Sequence, residues 1–372
     1  MKNNPLKKLE SLGQSVWLDY IRRDMITDGE LELLIREDGL RGMTSNPAIF
    51  EKAIAESTIY DPEIRRMALQ QKDTKVIYEL LSQQDVRSAA AKFNLLYENT
   101  DKKDGYVSLE VNPHLAYNTK GTVGEGRQLW SALNRPNVLI KVPATSEGLP
   151  AIRQLISDGV NVNVTLLFGL PRYRQVTEAY IEGLEACLAQ GKPINQITSV
   201  ASFFLSRIDT ALDPILEKII QANSSLSEIA REAHGEVAIS SAKEAYQIYT
   251  EVFGSQRFNV LAQKGARTQR LLWASTSNKN PAYSDVKYIE PLIGENTVST
   301  VPPQTLDAYR DHGNPQLSIG QNIEKARRIL TSLPKLGIDM DKVTQQLEDE
   351  GVAKFIDPYD KLMGALAKKS ST

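Results

Sequence analysis

At 372 residues, with 41% apolar and 24% charged residues, the chain can build one large domain or two ordinary ones. A net charge of -2 with no dense Lys/Arg block gives nucleic acid no electrostatic footprint, and no apolar run of about 18 residues is present to span a membrane. A single cysteine, Cys187, and three histidines, His114, His234 and His312, argue against a disulfide framework and against a Cys- or His-built metal site. Met1–Lys8 has no apolar stretch behind it to act as a secretory signal, so a soluble cytoplasmic protein is expected.

Short apolar runs alternate with longer amphipathic stretches along the chain. The first expected strand, 16–19, ends in Asp19. The second, 40–44, runs into Thr44-Ser45-Asn46-Pro47, and a helix is expected from Pro47 to Ser57. The third, 105–111, isolates Glu110 among apolar neighbours. Gly121-Thr122-Val123-Gly124-Glu125-Gly126 is glycine-rich but lacks the spacing and preceding strand of a dinucleotide fingerprint, and reads as a loop. The fourth strand, 138–143, carries a lone Lys141 in Val138-Leu139-Ile140-Lys141-Val142-Pro143, followed by a helix from Ser146 to Asp158. The fifth, 161–168, puts Asn163 and Thr165 on one face by its period of two. A helix from Pro171 to Gln190 leads to the sixth, 197–204, which supplies Ser202 and then Arg207.

Between Thr210 and Arg267 the pattern is mostly helical, over Ala211–Ala222, Leu226–Ala233 and Glu236–Phe253. The seventh strand, 268–275, ends in Ser275 with Lys279 just beyond, and the eighth spans 296–301. The tail from Ser318 carries helical pattern at Asn322–Ser332 and Asp339–Glu350, and Lys368–Thr372 reads as frayed. Eight strands alternating with helices predict an α/β protein, a single (β/α)8 TIM barrel with extra helices, rather than an open doubly wound sheet. One domain over 1–372 is expected, with a helical insertion around 210–267 and a helical tail around 318–368.

In such a barrel the active site forms at the carboxyl ends of the strands. An ammonium group in a buried parallel strand is costly to desolvate, so burial favours the free amine that a Schiff-base nucleophile needs. Each residue also has a plainer reading. Lys141 could reach the strand end and pair with a carboxylate, and Asp19 could cap a helix. Ser202 and Thr165 could be ordinary buried hydroxyls, Arg207 could pair with Asp209 or Asp213, and Asn46-Pro47 could be a turn. Two carboxylates, an amine, hydroxyls and an arginine on successive strands form a set that carbon–carbon chemistry on a sugar uses.

At these residues the sequence resembles the transaldolases. Gly42-Met43-Thr44-Ser45-Asn46-Pro47-Ala48 is similar to their first signature, and Ile140-Lys141-Val142-Pro143-Ala144-Thr145-Ser146-Glu147-Gly148 to the second, which holds the Schiff-base lysine. Val164-Thr165-Leu166-Leu167-Phe168 and Ser202-Phe203-Phe204-Leu205-Ser206-Arg207 also match in order and spacing. The resemblance implies transfer of a dihydroxyacetone unit from sedoheptulose 7-phosphate to glyceraldehyde 3-phosphate, giving erythrose 4-phosphate and fructose 6-phosphate in the pentose phosphate pathway. It implies Lys141 as nucleophile, Asp19 as acid/base for bond cleavage, and Glu110 with Thr165 and a water for proton transfer during imine formation. Asn46, Asn163 and Ser202 would hold the dihydroxyacetone hydroxyls and Arg207 the phosphate. No metal or organic cofactor is implied. The implied partners are small sugar phosphates, and both monomer and homodimer stay open.

One position departs from the family pattern. Two residues beyond the serine that ends strand seven the family places a second phosphate-binding arginine; here Ser275 is followed by Thr276 and Ser277, so Ser275 and Lys279 are expected to supply that contact. Two rival readings are a fructose 6-phosphate aldolase and a non-catalytic sugar-phosphate-binding barrel. Related aldolases carry Gln where this chain has Glu110 and Tyr where it has Phe204, which favours transfer here.

Overall fold

The computed structural model describes residues 4–371. Eight parallel strands close into a barrel in chain order: β1 (Gln14–Asp19), β2 (Gly42–Thr44), β3 (Tyr106–Glu110), β4 (Val138–Pro143), β5 (Val162–Leu167), β6 (Ser199–Phe204), β7 (Arg270–Ala274) and β8 (Thr297–Val301). Every expected strand is present, within about two residues at its ends. Closure is made by β1 against β8, in register from Gln14 with Thr297 to Leu18 with Val301. Val, Ile and Leu dominate because both faces are covered, by the barrel interior on one side and helices on the other. Each residue of β3 to β8 is buried.

The helices begin where capping chemistry allows. Asn46 accepts from the Ile49 N–H at 3.1 Å and Pro47 opens the helix Pro47–Ala55. Asp73 caps Thr74–Asn99, a long helix between β2 and β3. Asn118 caps Thr119–Leu133, so the run Gly121–Gly126, expected as a loop, is helical. Its glycines weaken the local signal, but Gly126 has a packing reason: a Cβ there would stand 2.9 Å from Leu155 Cδ1 of the helix Gly148–Ser157. Tertiary contact overrides propensity at this point.

Between β6 and β7 lie four helices, Ser206–Gln221, Ser227–Ala233, Val237–Phe253 and Gln256–Ala262, as the expected insertion requires. The first starts earlier than Ala211 and therefore carries Arg207 in its opening turn. Buried Lys243 ties the insertion to the tail by donating to the carbonyls of Ser318 at 2.8 Å and Gln321 at 2.7 Å. The tail forms Ile323–Ser332 and then one helix, Met340–Ser371, far beyond Glu350. Its end is not frayed as expected: Lys369 pairs with Asp61 at 2.7 Å and donates to the Ser57 carbonyl. Met1–Asn3 and Thr372 lie outside the described residues. Among those described, no helix is long and apolar enough to cross a membrane, and no group of three His, Cys, Asp or Glu residues is set to hold a metal ion.

The amino end of the barrel is closed by charge. Arg270, 7% exposed at the start of β7, donates to Asp104 Oδ1 at 3.0 Å, to Ser15 Oγ at 2.6 Å and to the Thr297 carbonyl at 2.8 Å. Ser15 in turn donates to Asp104, which is 3% exposed. Removing one member of a buried pair strands the other charge out of water. Asp104→Ala is therefore expected to lower stability by about 3–5 kcal/mol in urea unfolding, with activity per folded molecule unchanged. A loss under 1 kcal/mol, on the order of a surface pair, would show that Arg270 finds other partners.

Candidate active site

At the carboxyl ends of the strands a cavity of about 420 Å³ opens. Nine of the eleven expected site residues line it: Asp19, Asn46, Lys141, Thr165, Ser202, Phe204, Arg207, Ser275 and Lys279. Glu110 and Asn163 are not on its wall. They flank Lys141 on the neighbouring strands, Glu110 in register with Lys141 across β3 and β4, and Lys141 with Asn163 across β4 and β5.

Lys141 is 4% exposed. Its Nζ donates to the Ser45 carbonyl at 3.1 Å and stands 3.4 Å from Glu110 Oε2. The lysine thus stays buried and also pairs with a carboxylate, combining both readings of the sequence. Burial pushes the Glu110 carboxyl up to about 7, against the pull of the Lys141 charge and with a further push from Asp19. Neither Glu110 oxygen has an aligned hydrogen-bond partner in the protein, and neither does the buried Thr165 hydroxyl. Unsatisfied buried groups of this kind each cost about 1–3 kcal/mol and mark places built for something other than stability.

Local backbone aims Thr165. The β5–β6 register shifts between Val164 and Leu167, and Leu166 takes a left-handed conformation, φ +55°. A bulge re-aims the adjacent side chain, at a strain of about 1–3 kcal/mol for a non-glycine residue with positive φ. Ser275, at the end of β7, shares that conformation with φ +54° and shares a hydroxyl–hydroxyl hydrogen bond of 2.9 Å with Ser206.

Asp19 caps no helix; the next one, Arg23–Thr27, starts after Arg22. Its Oδ1 accepts from Thr44 Oγ1 at 2.6 Å, and Thr44 lies 2.8 Å from the Thr300 hydroxyl. Asn46 is both helix cap and cavity wall, since capping uses its oxygen and leaves its amide N–H groups available. Ser202 donates to Asn163 Oδ1 at 2.7 Å while the Asn163 amide donates to Ser108 at 3.0 Å, which locks both rotamers.

The opposite side of the cavity is cationic. Arg207 does not pair with Asp209 or Asp213; its Nη1 is buried without a hydrogen-bond partner, and its guanidinium lies 5.5 Å from the Phe204 ring centre. Burial pushes the Arg207 guanidinium down from its ordinary value, partly opposed by the charge of Glu350. Burial also lowers Lys279, and the charge of Arg207 adds to that. Lys52, one turn and a half into the helix after Asn46, joins them on the wall. It passed unnoticed in the sequence because it sits in an ordinary amphipathic helix. Mutually repelling cations in a half-buried cavity form a site for an anion.

The tail completes the enclosure. Phe355, from the helix Met340–Ser371, faces the cavity with its ring centre 5.4 Å from Lys141 Nζ. Gly351, one turn earlier, lets this helix approach: a Cβ there would lie 3.0 Å from Leu166 Cδ2 and 3.5 Å from Arg207 Nη1. No strand-end pattern could have flagged Phe355, which lies more than 200 residues from Lys141 along the chain.

A closed parallel barrel with a buried, carboxylate-paired lysine at its carboxyl-end cavity is an enzyme architecture. The chain belongs to the transaldolase/fructose-6-phosphate aldolase family, whose pattern matches residues 16–366. It is 48% identical over 373 residues to the transaldolase of Trichodesmium erythraeum, covering 99% of this chain and 98% of that protein. It is 45% identical to the transaldolase of Thiobacillus denitrificans, over 98% of this chain and 99% of that one. With the transaldolase of Thermobifida fusca the identity is 43%, over 98% of each.

Phe355 shields the amine, so Phe355→Ala is expected to speed labelling of Lys141 by a small amine-directed reagent several-fold, read by peptide mapping. Labelling at the wild-type rate would mean that the tail helix does not control access to the lysine.

Proposed function

We propose that this chain is a transaldolase that moves a dihydroxyacetone unit from sedoheptulose 7-phosphate to glyceraldehyde 3-phosphate through an imine on Lys141. The observation that carries this reading is the buried Lys141 amine, 3.4 Å from a Glu110 carboxyl that titrates near neutrality. A carboxyl with a pKa of about 7 can both give and take a proton at working pH.

In this mechanism Lys141 Nζ attacks the ketose carbonyl to form a carbinolamine. Glu110, acting with the Thr165 hydroxyl, relays a proton to the departing hydroxyl, and water leaves to give the iminium. The Asp19 carboxylate takes the proton from the C4 hydroxyl, the C3–C4 bond breaks, and its electron pair moves into the iminium. The aldehyde departs while the enamine remains on Lys141. Attack of this carbon on the acceptor aldehyde reverses the sequence, with Asp19 returning its proton, and water then releases the new ketose. Asn46, Ser202 and Asn163 orient the dihydroxyacetone hydroxyls. Arg207, with Ser275 and Lys279, binds the phosphate at the cationic side.

Phe204, its ring centre 5.2 Å from that of Phe168 with the planes tilted by 49°, and Phe355 give the enamine apolar walls with no acidic hydrogen to protonate it. That supports transfer over release of free dihydroxyacetone, the other activity in the family's description. The reading carries a cytoplasmic location, where phosphorylated sugars are interconverted.

Incubation with fructose 6-phosphate and borohydride should leave a reduced dihydroxyacetone adduct on Lys141, detected by mass spectrometry with peptide mapping. A folded, substrate-binding protein with no adduct there would overturn the mechanism. Lys141→Ala should remove all activity, and Asp19→Ala should trap ketose as an imine without cleaving it. Turnover at a wild-type rate by either variant would exclude the residue from its role. Glu110→Gln, which cannot titrate, should slow imine formation about 100- to 10,000-fold and abolish its inflection near pH 7. An unchanged inflection in stopped-flow or quench experiments would assign that proton transfer to another group.

A further inference from the structure

The loop that follows β7 brings Lys279 to the cavity and then turns away from it. A lysine ammonium is a compact charge on a flexible stem, so its precision depends on how firmly its backbone is held. Two carboxylates on the helix Ser206–Gln221, which carries Arg207 in its first turn, do the holding. Asp209 and Asp213 lie one turn apart on one face, both buried, and neither lines the cavity.

Each carboxylate is gripped from two sides. On one side Asp209 accepts from the Ala238 N–H and Asp213 from the Gly235 N–H, both at 2.8 Å. On the other, both reach the loop. Tyr283 donates to Asp213 Oδ2 at 2.8 Å, Tyr288 donates to Asp209 Oδ2 at 2.9 Å, and Lys287 Nζ lies 3.4 Å from that same oxygen. Lys287 is also stacked 3.3 Å over the Tyr283 ring, and the Tyr283 hydroxyl is 3.2 Å from His234 Nδ1. Between cavity and clasp, the Asn278 amide donates to the carbonyls of Asn280 and Tyr283, each at 2.7 Å. The segment from Lys279 to Tyr283 is thereby a short closed turn, anchored at its far end to the helix that bears Arg207.

We propose that the Asp213–Tyr283 and Asp209–Lys287–Tyr288 contacts form a positioning clasp that sets Lys279 opposite Arg207 and so fixes selectivity for phosphorylated over unphosphorylated sugars. This inference rests on the phosphate reading of Arg207 and Lys279 given above. The clasp residues touch no reacting atom. They act through the loop, replacing by backbone rigidity the directionality that an arginine fork would supply by itself.

The test compares kcat and KM for fructose 6-phosphate with erythrose 4-phosphate against kcat/KM for fructose with erythrose, which yields sedoheptulose and glyceraldehyde without any phosphate. Tyr283→Phe removes only the hydroxyl and keeps the ring beneath Lys287. It is expected to raise KM for fructose 6-phosphate about tenfold, the worth of one hydrogen bond to a charged group, with kcat nearly unchanged and the fructose reaction unaffected. Asp213→Asn, which keeps the shape, should do the same. Lys279→Met should raise that KM at least as much, and adding Tyr283→Phe to it should have no further effect, because the two act as one unit. Equal losses on fructose and fructose 6-phosphate, or additive losses in the double variant, would make the clasp ordinary packing and overturn the proposal. If Lys279→Met raises KM while Tyr283→Phe and Asp213→Asn do not, the clasp alone is refuted. If Lys279→Met leaves KM unchanged, the phosphate role of Lys279 falls, and the inference with it.

Discussion

The desolvated ammonium of Lys141 is the constraint on which the rest of the site depends. Closing eight strands into a barrel removes this group from water, and a charge so placed must be matched or neutralised. The closed sheet provides the match itself, because register puts Glu110 beside Lys141 on the next strand and the turn after β2 offers the Ser45 carbonyl. The match is partial by construction. Glu110 is itself so buried that its carboxyl rises to about 7, where it can give or take a proton near neutral pH. A pair fully satisfied by hydrogen bonds would be more stable and chemically idle.

The two ends of the barrel illustrate this contrast. At the amino end, the Asp104 carboxylate is held by Ser15, Arg270 and Arg41, and the pairing serves stability. At the carboxyl end, Glu110, Thr165 and Arg207 each keep a buried polar atom without a partner, and Leu166 and Ser275 hold strained backbone. At the amino end Arg41 Nε and Arg270 Nε are also unpartnered but sit within ion-pair packing, whereas Thr165 and Arg207 line the cavity, on the face where barrel enzymes place their sites.

The segments beyond the plain barrel take part in the site. The insertion after β6 supplies the helix that bears Arg207 and, on its buried face, the carboxylates that grip the loop of Lys279. The tail crosses from Met340 to Ser371 and lays Phe355 over the lysine, its end secured by Lys369 on Asp61. The sequence alone offers Asp209 and Asp213 as surface partners for Arg207. Burial against the loop gives them a different task and leaves the guanidinium facing the cavity.

Strands such as Val138–Pro143 and Val162–Leu167 were legible in the sequence because a parallel barrel strand is buried on both faces and therefore reads as a short, predominantly apolar run. The polar residues at their ends were legible for the same reason: Lys141 or Glu110 stands out only against an apolar background. Other features depend on contacts between residues far apart in the chain. The helix through Gly121–Gly126 exists despite weak propensity because Gly126 admits Leu155 of the neighbouring helix. Lys52, Phe355 and the clasp around Tyr283 carry no local mark, since each gains its role from what a distant segment brings against it. The sequence by itself thus determined the barrel, the strand order and the row of polar residues at its mouth, all of which follow from local periodicity and burial. Only the tertiary structure decided which of those groups meet, which stay unpartnered and what covers them, because distances between segments separated by tens to hundreds of residues are set by packing and not by period.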